Sequence, residues 1–174
     1  MANFLFTSPT ELKSTTIIGG NTDQDKYIYI ISDVQETVIL PLLGQELYDV
    51  IYNGAEADSL TGDYLYLYTH FVQPITKFQT VSNYVLISNF NVDNGGTYSN
   101  QSENAVINSQ EELSALSNRY AGYADTYIDR FNDWICRANI SEYKLNQDGV
   151  DAHPNTTNRS GWYFGLPSNV KMGK

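Results

Sequence analysis

Two histidines and one cysteine are the side chains of this sequence best suited to metal binding or nucleophilic catalysis. His70 lies near Pro74 in a stretch with helical spacing, and His153 lies near the C-terminal end. Neither has a second ligand at a metal-binding spacing such as HxH or HExxH, so both are interpreted as ordinary surface or partly buried histidines. Cys136 has no histidine close in sequence, as a catalytic cysteine requires, and it is predicted to be a small buried thiol.

Carboxylates are the other candidates for chemistry. Asp125, Asp129 and Asp133 recur every four residues, a spacing that places them on one face of a helix. A single row on one helix offers too few converging oxygens for a metal ion unless ligands come from elsewhere. The row is therefore predicted to be a solvated or interface-facing acidic stripe.

No other motif indicates catalysis. The sequence contains no GxGxxG, Walker A or GxSxG motif, and no serine, histidine and acid at a recognisable spacing. Residues 93–96 resemble a calcium loop only loosely, because the twelfth position is Asn104 instead of glutamate. We therefore predict that the chain is not an enzyme and binds no cofactor and no metal. A cleft that brings His70 together with two or more acids would overturn this prediction.

The charge balance limits the classes of partner. The chain has 174 residues, of which 20 are acidic and 10 are basic, so its net charge is −10. A chain this acidic gains little from phosphate backbones or anionic membranes, so DNA is expected only as a neighbour. No apolar run approaches the roughly 18 residues of a membrane span. One cysteine excludes an internal disulfide, and the first residues do not resemble a secretory signal, so a soluble protein is expected.

Apolar residues at helical spacing predict about four helices, two of them long. The predicted helices cover about 23–40, about 45–52, about 63–85 and about 109–139, and residues 9–14 are expected to form one short turn. A capping box at Ser109 and Glu112 is predicted to begin the last helix. The residues expected to end or kink the other helices are Pro41, Gly44, Asn53, Gly54 and Pro74.

Two stretches lack helical periodicity. Residues 89–108 are rich in Asn, Ser and Gly, and they are predicted to form a small β-hairpin or a long loop insertion. Residues 141–174 are predicted to be an extended C-terminal arm. The fold class is therefore mainly α: a helical bundle of about four helices in one domain, residues 1–140, followed by the arm, residues 141–174.

Aromatic residues mark the predicted interfaces. Trp162, Tyr163 and Phe164 are consecutive in an arm of net charge +1, whereas residues 1–140 have a net charge of −11. Three exposed aromatics are unfavourable in water, so the arm is expected to fold back or to dock on another chain. The charge difference favours the acidic surface of a neighbouring copy. A second interface is predicted at three residues of the insertion, Phe90, Val92 and Tyr98.

Three stretches carry a resemblance to a known family. They are LPLLGQELYDVI at 40–51, NRYAGYADTYIDRFNDW at 118–134 and SGWYFG at 160–165. Together they resemble the small, mostly helical head–tail connector proteins of tailed bacteriophages. The likeness is greatest to those of phages and prophages of Bacteroides-type hosts, including the ring proteins of crAss-like phages. The family has no catalytic residues that could be assigned to positions of this sequence.

The resemblance implies a structural protein of the virion neck, made in the host bacterial cytoplasm. Such connectors form a ring, commonly a dodecamer, that joins the portal protein to further neck or tail ring proteins around the DNA exit channel. DNA is passing cargo, and no membrane is involved. In such a ring, Asp125, Asp129 and Asp133 would line the channel or face a neighbouring copy.

One alternative remains open at the level of sequence. The chain could be a small helical protein-binding module that acts as a monomer or dimer, with its tail packed on its own helices. The two hypotheses differ in whether the chain binds a portal protein.

Overall fold

The computed structural model describes residues 4–19, 22, 24–88, 90–93, 96–99, 109–138 and 140–143. This part of the chain is mainly helical, as the sequence predicts. The elements, in chain order, are α1 (Pro9–Thr15), α2 (Asp25–Val34), a first π segment (Gln35–Ile39), α3 (Leu40–Leu43), α4 (Gln45–Glu56), α5 (Gly62–Leu67), a second π segment (Tyr68–Val72), α6 (Gln73–Ile87), β1 (Phe90–Asp93), β2 (Gly96–Ser99) and α7 (Gln110–Ile135).

The helices of the described residues form five continuous stretches, one more than the predicted four. α2, the first π segment and α3 follow one another without a break, and so do α5, the second π segment and α6. The additional stretch is α1, where the sequence predicts only one turn. Ser8 caps α1 by accepting a hydrogen bond from the Glu11 N–H, and the buried Leu12 fixes the helix to the core.

The two π segments change the expected effect of the prolines. Leu40 donates its N–H to the carbonyl of Gln35, five residues back, and Gln73 donates to Tyr68 in the same way. Pro41 and Pro74 therefore fall in the first turn of a new α-helix, where a missing N–H is tolerated. The prediction that Pro41 ends the first helix is wrong. The helix ends at Gly44, whose φ of 76° requires glycine.

α4 is longer than predicted. It continues through Gly54 to Glu56, and the left-handed residue after it is Asp58, with φ of 49°. The side chain of Leu60 packs where a Cβ of residue 54 would lie. Gly54 is therefore suited to this close approach, and the prediction that it supplies a left-handed cap is wrong.

α7 begins where the sequence predicts. Ser109 Oγ accepts a hydrogen bond from the Glu112 N–H, and the Glu112 carboxylate accepts one from the Ser109 N–H, which completes the capping box. The helix ends at Ile135, earlier than the predicted Asn139.

The core follows the paired helices α6 and α7. These helices run antiparallel, because Phe71 contacts Phe131 whereas the later Ser82 contacts the earlier Ser117. Two buried clusters lie along the pair. One contains Phe6, Ile39, Leu43, Leu47, Ile51, Leu67, Phe71, Val72, Ile75, Phe131, Ile135 and Ile140. The other contains Leu12, Ile18, Tyr27, Ile30, Ile31, Val34, Val81, Val85 and Leu113.

Two short strands lie between α6 and α7. β1 and β2 pair antiparallel, with Phe90 opposite Ser99 and Val92 opposite Thr97. The chain divides into two units, Met1–Tyr143 and Lys144–Lys174, and the second unit lies outside the described residues.

Candidate interaction surfaces

The structure describes only part of the predicted interfaces. Trp162, Tyr163 and Phe164 lie outside the described residues. The backbones of Phe90, Val92 and Tyr98 lie on β1 and β2, and their side chains are outside the description. The interface roles of these six residues therefore stay predictions.

The acidic stripe is a row of exposed carboxylates on α7. Asp125, Asp129 and Asp133 are all exposed, and their carboxylates accept no side-chain hydrogen bond from the residues that the structure describes. They span about 12 Å along the axis at 1.5 Å per residue. In the described part of the chain, no group of three or more His, Cys, Asp or Glu side chains could hold a metal ion.

His70 and Cys136 are both at the surface. His70 stacks on Tyr66, with 4.0 Å between ring centroids, and its Nδ1 lies 2.9 Å from Thr69 Oγ1. Cys136 is exposed just after the end of α7, so the prediction of a buried thiol is wrong. The helical spacing explains the exposure, because Cys136 lies about 100° around the helix axis from the buried Ile135.

A group of aromatic rings covers one side of the α6–α7 pair. The ring centroid of Phe78 lies 5.5 Å from that of Tyr123 and 5.7 Å from that of Tyr127. Tyr120 contacts both Phe78 and Tyr123. The rings are only partly buried, and Tyr123 keeps 39% of its surface exposed. This side of the molecule is therefore apolar but open to solvent.

Three cations lie over these rings. Lys77 Nζ is 5.1 Å from the ring centre of Phe78, Arg119 Cζ is 5.8 Å from that of Tyr123, and Arg130 Cζ is 5.3 Å from that of Tyr127. They are three of only six basic residues in positions 1–140. We call this set the aromatic–cationic surface: Lys77, Phe78, Arg119, Tyr120, Tyr123, Tyr127 and Arg130.

Arg119 is held in place by a hydrogen bond. Its Nε donates to Tyr123 Oη over 2.8 Å, which raises the pKa of the guanidinium above its ordinary value. A fixed guanidinium over a ring loses less side-chain freedom when it binds a carboxylate than a free one does.

The acidic stripe and the aromatic–cationic surface occupy different faces of α7. With 3.6 residues per turn, the stripe lies about a third of a turn from the face that carries Tyr123 and Tyr127. A third face, with Ser117, Ala124 and Phe131, is buried against the core. The placement of Lys77 beside the exposed rings of α7 depends on the pairing of α7 with α6.

The sequence does not reveal how the N-terminal segment is held. The buried Gln35 side chain accepts a hydrogen bond from the Phe6 N–H (2.8 Å) and donates one to the Phe4 carbonyl (3.2 Å). Tyr68 Oη donates to the Phe6 carbonyl (3.0 Å), and the Phe4 N–H donates to Tyr52 Oη (2.8 Å). Gln35 and Tyr68 each begin a π segment, so the register changes bring both side chains to this segment.

Aromatic packing completes this contact. Phe6 is 1% exposed, and its ring makes edge contacts with those of Tyr48, Tyr52 and Tyr68 at centroid distances of 5.5 to 6.0 Å. Only the alternation of Phe4 and Phe6 in the sequence could have indicated a buried extended segment. The residues that pack on Phe6, which are Tyr48, Tyr52 and Tyr68, are distant from it in sequence and share no motif.

Comparison with known families gives one match. The sequence model described as Family of unknown function (DUF6712) matches residues 39–152, which is more than half of the chain. The chain belongs to DUF6712. The match covers α3 to α7, and so includes both surfaces of α7, whereas α1 and α2 of this DUF6712 chain precede it. No curated protein and no solved structure matches the chain.

Each of the described helices is too short or too polar to cross a bilayer.

Proposed function

We propose that this chain is a subunit of a head–tail connector ring in the neck of a tailed bacteriophage. It would join the portal to the tail machinery and surround the DNA exit channel. The proposal is supported first by the presence of two exposed, chemically different faces on α7: the acidic stripe and the aromatic–cationic surface. Both lie largely within residues 118–134, one of the stretches that resemble connector proteins.

A ring needs different surfaces on the two sides of each subunit. In head-to-tail association, one patch of a subunit meets a different patch of the next, and the contact repeats until the ring closes. Like faces brought together by a two-fold axis would instead place Asp125 and Asp129 against the same carboxylates of another copy. The charges of α7 therefore disfavour a two-fold dimer joined stripe to stripe, and its two different faces can form head-to-tail contacts.

The overall charge suits a passage for DNA. A body with a net charge of −11 over residues 1–140 has little attraction for phosphates, because acidic surfaces release no counterions from DNA. DNA can then move past such a wall without being held. The insertion and the arm would reach the portal and neighbouring rings. The insertion would bind through Phe90, Val92 and Tyr98. The arm would bind through Trp162, Tyr163 and Phe164.

The test is assembly with the portal protein encoded in the same genome. The purified full-length chain is mixed with purified portal rings, and the products are weighed by native mass spectrometry and imaged by electron microscopy. We expect one ring of this chain stacked on each portal ring. A chain that stays monomeric or dimeric and leaves the portal unbound would reject the connector function and favour the protein-binding module.

A second measurement uses intact particles. Electron cryomicroscopy of virions should place the α6–α7 pair in the density directly below the portal. Density below the portal that fits no copy of this helical pair would also reject the proposal.

A further inference from the structure

We propose that the aromatic–cationic surface of one copy docks on the acidic stripe of the next copy. This inference rests on the proposed connector function, and it names the contact that builds the ring. The occupant of the aromatic–cationic surface is thus a second copy of this chain, bound through its α7.

The first argument is charge complementarity. Arg119 and Arg130 are exposed on one face of α7, and Lys77 adds a third cation from the adjoining helix α6. The described residues show no ion pair that neutralises any of these three cations. Arginine side chains bind carboxylates through paired, charge-assisted hydrogen bonds, so three unpaired aspartates on another copy are suitable partners.

The second argument is that the rings prepare the cations for binding. Each cation lies within 6 Å of a ring centre, and Arg119 is also fixed by Tyr123 Oη. Partly exposed tyrosines with arginine are the residue types that dominate stable protein interfaces. Burial of these rings by a neighbour would add apolar area to the charge pairing.

The third argument is geometric. The stripe extends about 12 Å along α7, and Arg119 and Arg130 are about 16 Å apart along the same helix at 1.5 Å per residue. The two sets of charges therefore have similar lengths. No ion pair among the described residues joins the two sets within one copy, and their mean directions around α7 differ by about a quarter of a turn, so every copy offers one set to each of two neighbours.

Another acidic face competes for the same cations. Asp49 and Glu56 are exposed on α4. Asp49 already accepts a hydrogen bond from Gln45 Nε2, at 2.8 Å. The three aspartates of α7 have no such partner among the described residues, which makes the stripe the better acceptor. The α4 carboxylates serve as the matched control.

The experiment uses two full-length variants, each altered on one surface. Arg119→Glu with Arg130→Glu makes the aromatic–cationic surface acidic, and Asp125→Arg with Asp129→Arg makes the stripe basic. The control is Asp49→Arg with Glu56→Arg. Circular dichroism first establishes that each variant has the helix content of the wild-type chain, and native mass spectrometry then measures incorporation into rings on the portal.

Each surface variant alone should lose at least tenfold in ring incorporation, because like charges then meet at every contact. An equimolar mixture of the two should recover it. Every contact in an alternating ring then pairs a basic surface with an acidic one, and the mass should correspond to equal numbers of the two variants. The control should assemble like the wild type.

The outcomes separate this contact from the proposed function. If wild-type rings form on the portal but both surface variants also assemble normally, the contact is wrong and the connector function stands. The contact is also wrong, and the connector function again stands, if the mixture of the two surface variants fails to assemble. The conclusion is identical if only the α4 variant is impaired. If the wild-type chain forms no ring on the portal, the connector function and this contact are both rejected.

Discussion

Two buried threonines on α6 differ in a single hydrogen bond. Thr76 and Thr80 are both 0% exposed, and Thr76 Oγ1 donates to the Val72 carbonyl, whereas Thr80 Oγ1 has no partner among the described residues. A buried hydroxyl without a partner costs about 1–3 kcal/mol. Thr80→Val should therefore stabilise the fold by about 1 kcal/mol, and Thr76→Val should destabilise it by about 0.5–1.5 kcal/mol. Urea unfolding measures the free energy of unfolding of each variant. If both substitutions change this free energy in the same direction, Thr80 has a hydrogen-bond partner in solution.

Buried tyrosines make stability depend on alkaline pH. Burial raises the pKa of Tyr68 above the ordinary 10.0, and the same cause raises the pKa of Tyr48 and Tyr143. The unfolded chain ionises these rings first, so stability is fully present below pH 10 and is lost as the pH rises through the folded pKa.

The variant that tests this dependence is Tyr68→Phe. It should lose some stability at neutral pH, because the hydrogen bond to the Phe6 carbonyl disappears. Its free energy of unfolding should, however, fall less steeply than that of the wild type above pH 10. The exposed Tyr29 gives the control, Tyr29→Phe, which should keep the wild-type slope. A Tyr68→Phe variant with the wild-type slope would contradict the burial of this hydroxyl.

At the scale of the elements, two glycines have opposite effects on the helices, one at a helix end and one in a helix interior. Gly44 separates α3 from α4 with φ of 76°, and Gly122 lies inside α7; an added Cβ would meet no atom within 4 Å at either position. Gly44→Ala should destabilise by about 1–2 kcal/mol through backbone strain alone. Gly122→Ala should stabilise by about 0.5–1 kcal/mol, because alanine is the better helix former. Thermal unfolding compares the pair, and a neutral Gly44→Ala would indicate that the α3–α4 junction relaxes.

Local signals in the sequence predicted the helices well where one residue type decides the geometry. The capping box of Ser109 and Glu112 appears as predicted. The helix predicted at about 23–40 buries apolar residues at helical spacing, among them Tyr27, Ile31 and Val34. The effect of Pro41 was misjudged, because the π segment before it depends on what the widened turn contacts. Gln35 and Tyr68 begin the two π segments and bind the N-terminal segment, and no local pattern encodes that contact.

The candidate surfaces were predictable to different degrees. The acidic stripe follows directly from the spacing of Asp125, Asp129 and Asp133, because one helix suffices to define it. The aromatic–cationic surface requires Lys77 and Phe78 of α6 to lie beside Tyr127 of α7, which is a tertiary contact. Pairing of distant helices is what a single sequence specifies least directly, so this surface emerged only from the structure.

For the whole molecule, the distribution of cations is more informative than their number. A net charge of −10 would by itself indicate mutual repulsion between copies. Half of the basic residues in positions 1–140 are gathered on one side of the α6–α7 pair, so copies can attract one another through that side. Repulsion elsewhere would then select one mode of contact from many, and added salt should weaken that contact.

The last prediction concerns the division between the helical body and the arm. Among the described residues, the two buried clusters consist of residues between 6 and 140, so deletion of residues 154–174 should leave the unfolding midpoint close to that of the full-length chain. The deletion should nevertheless abolish incorporation into portal-bound rings, because it removes the predicted docking aromatics. Replacement of Trp162, Tyr163 and Phe164 by alanine in the full-length chain is the matched variant and should have the same effect. A deleted chain that loses most of its helix content would show instead that the arm packs on its own helices, as the protein-binding module requires.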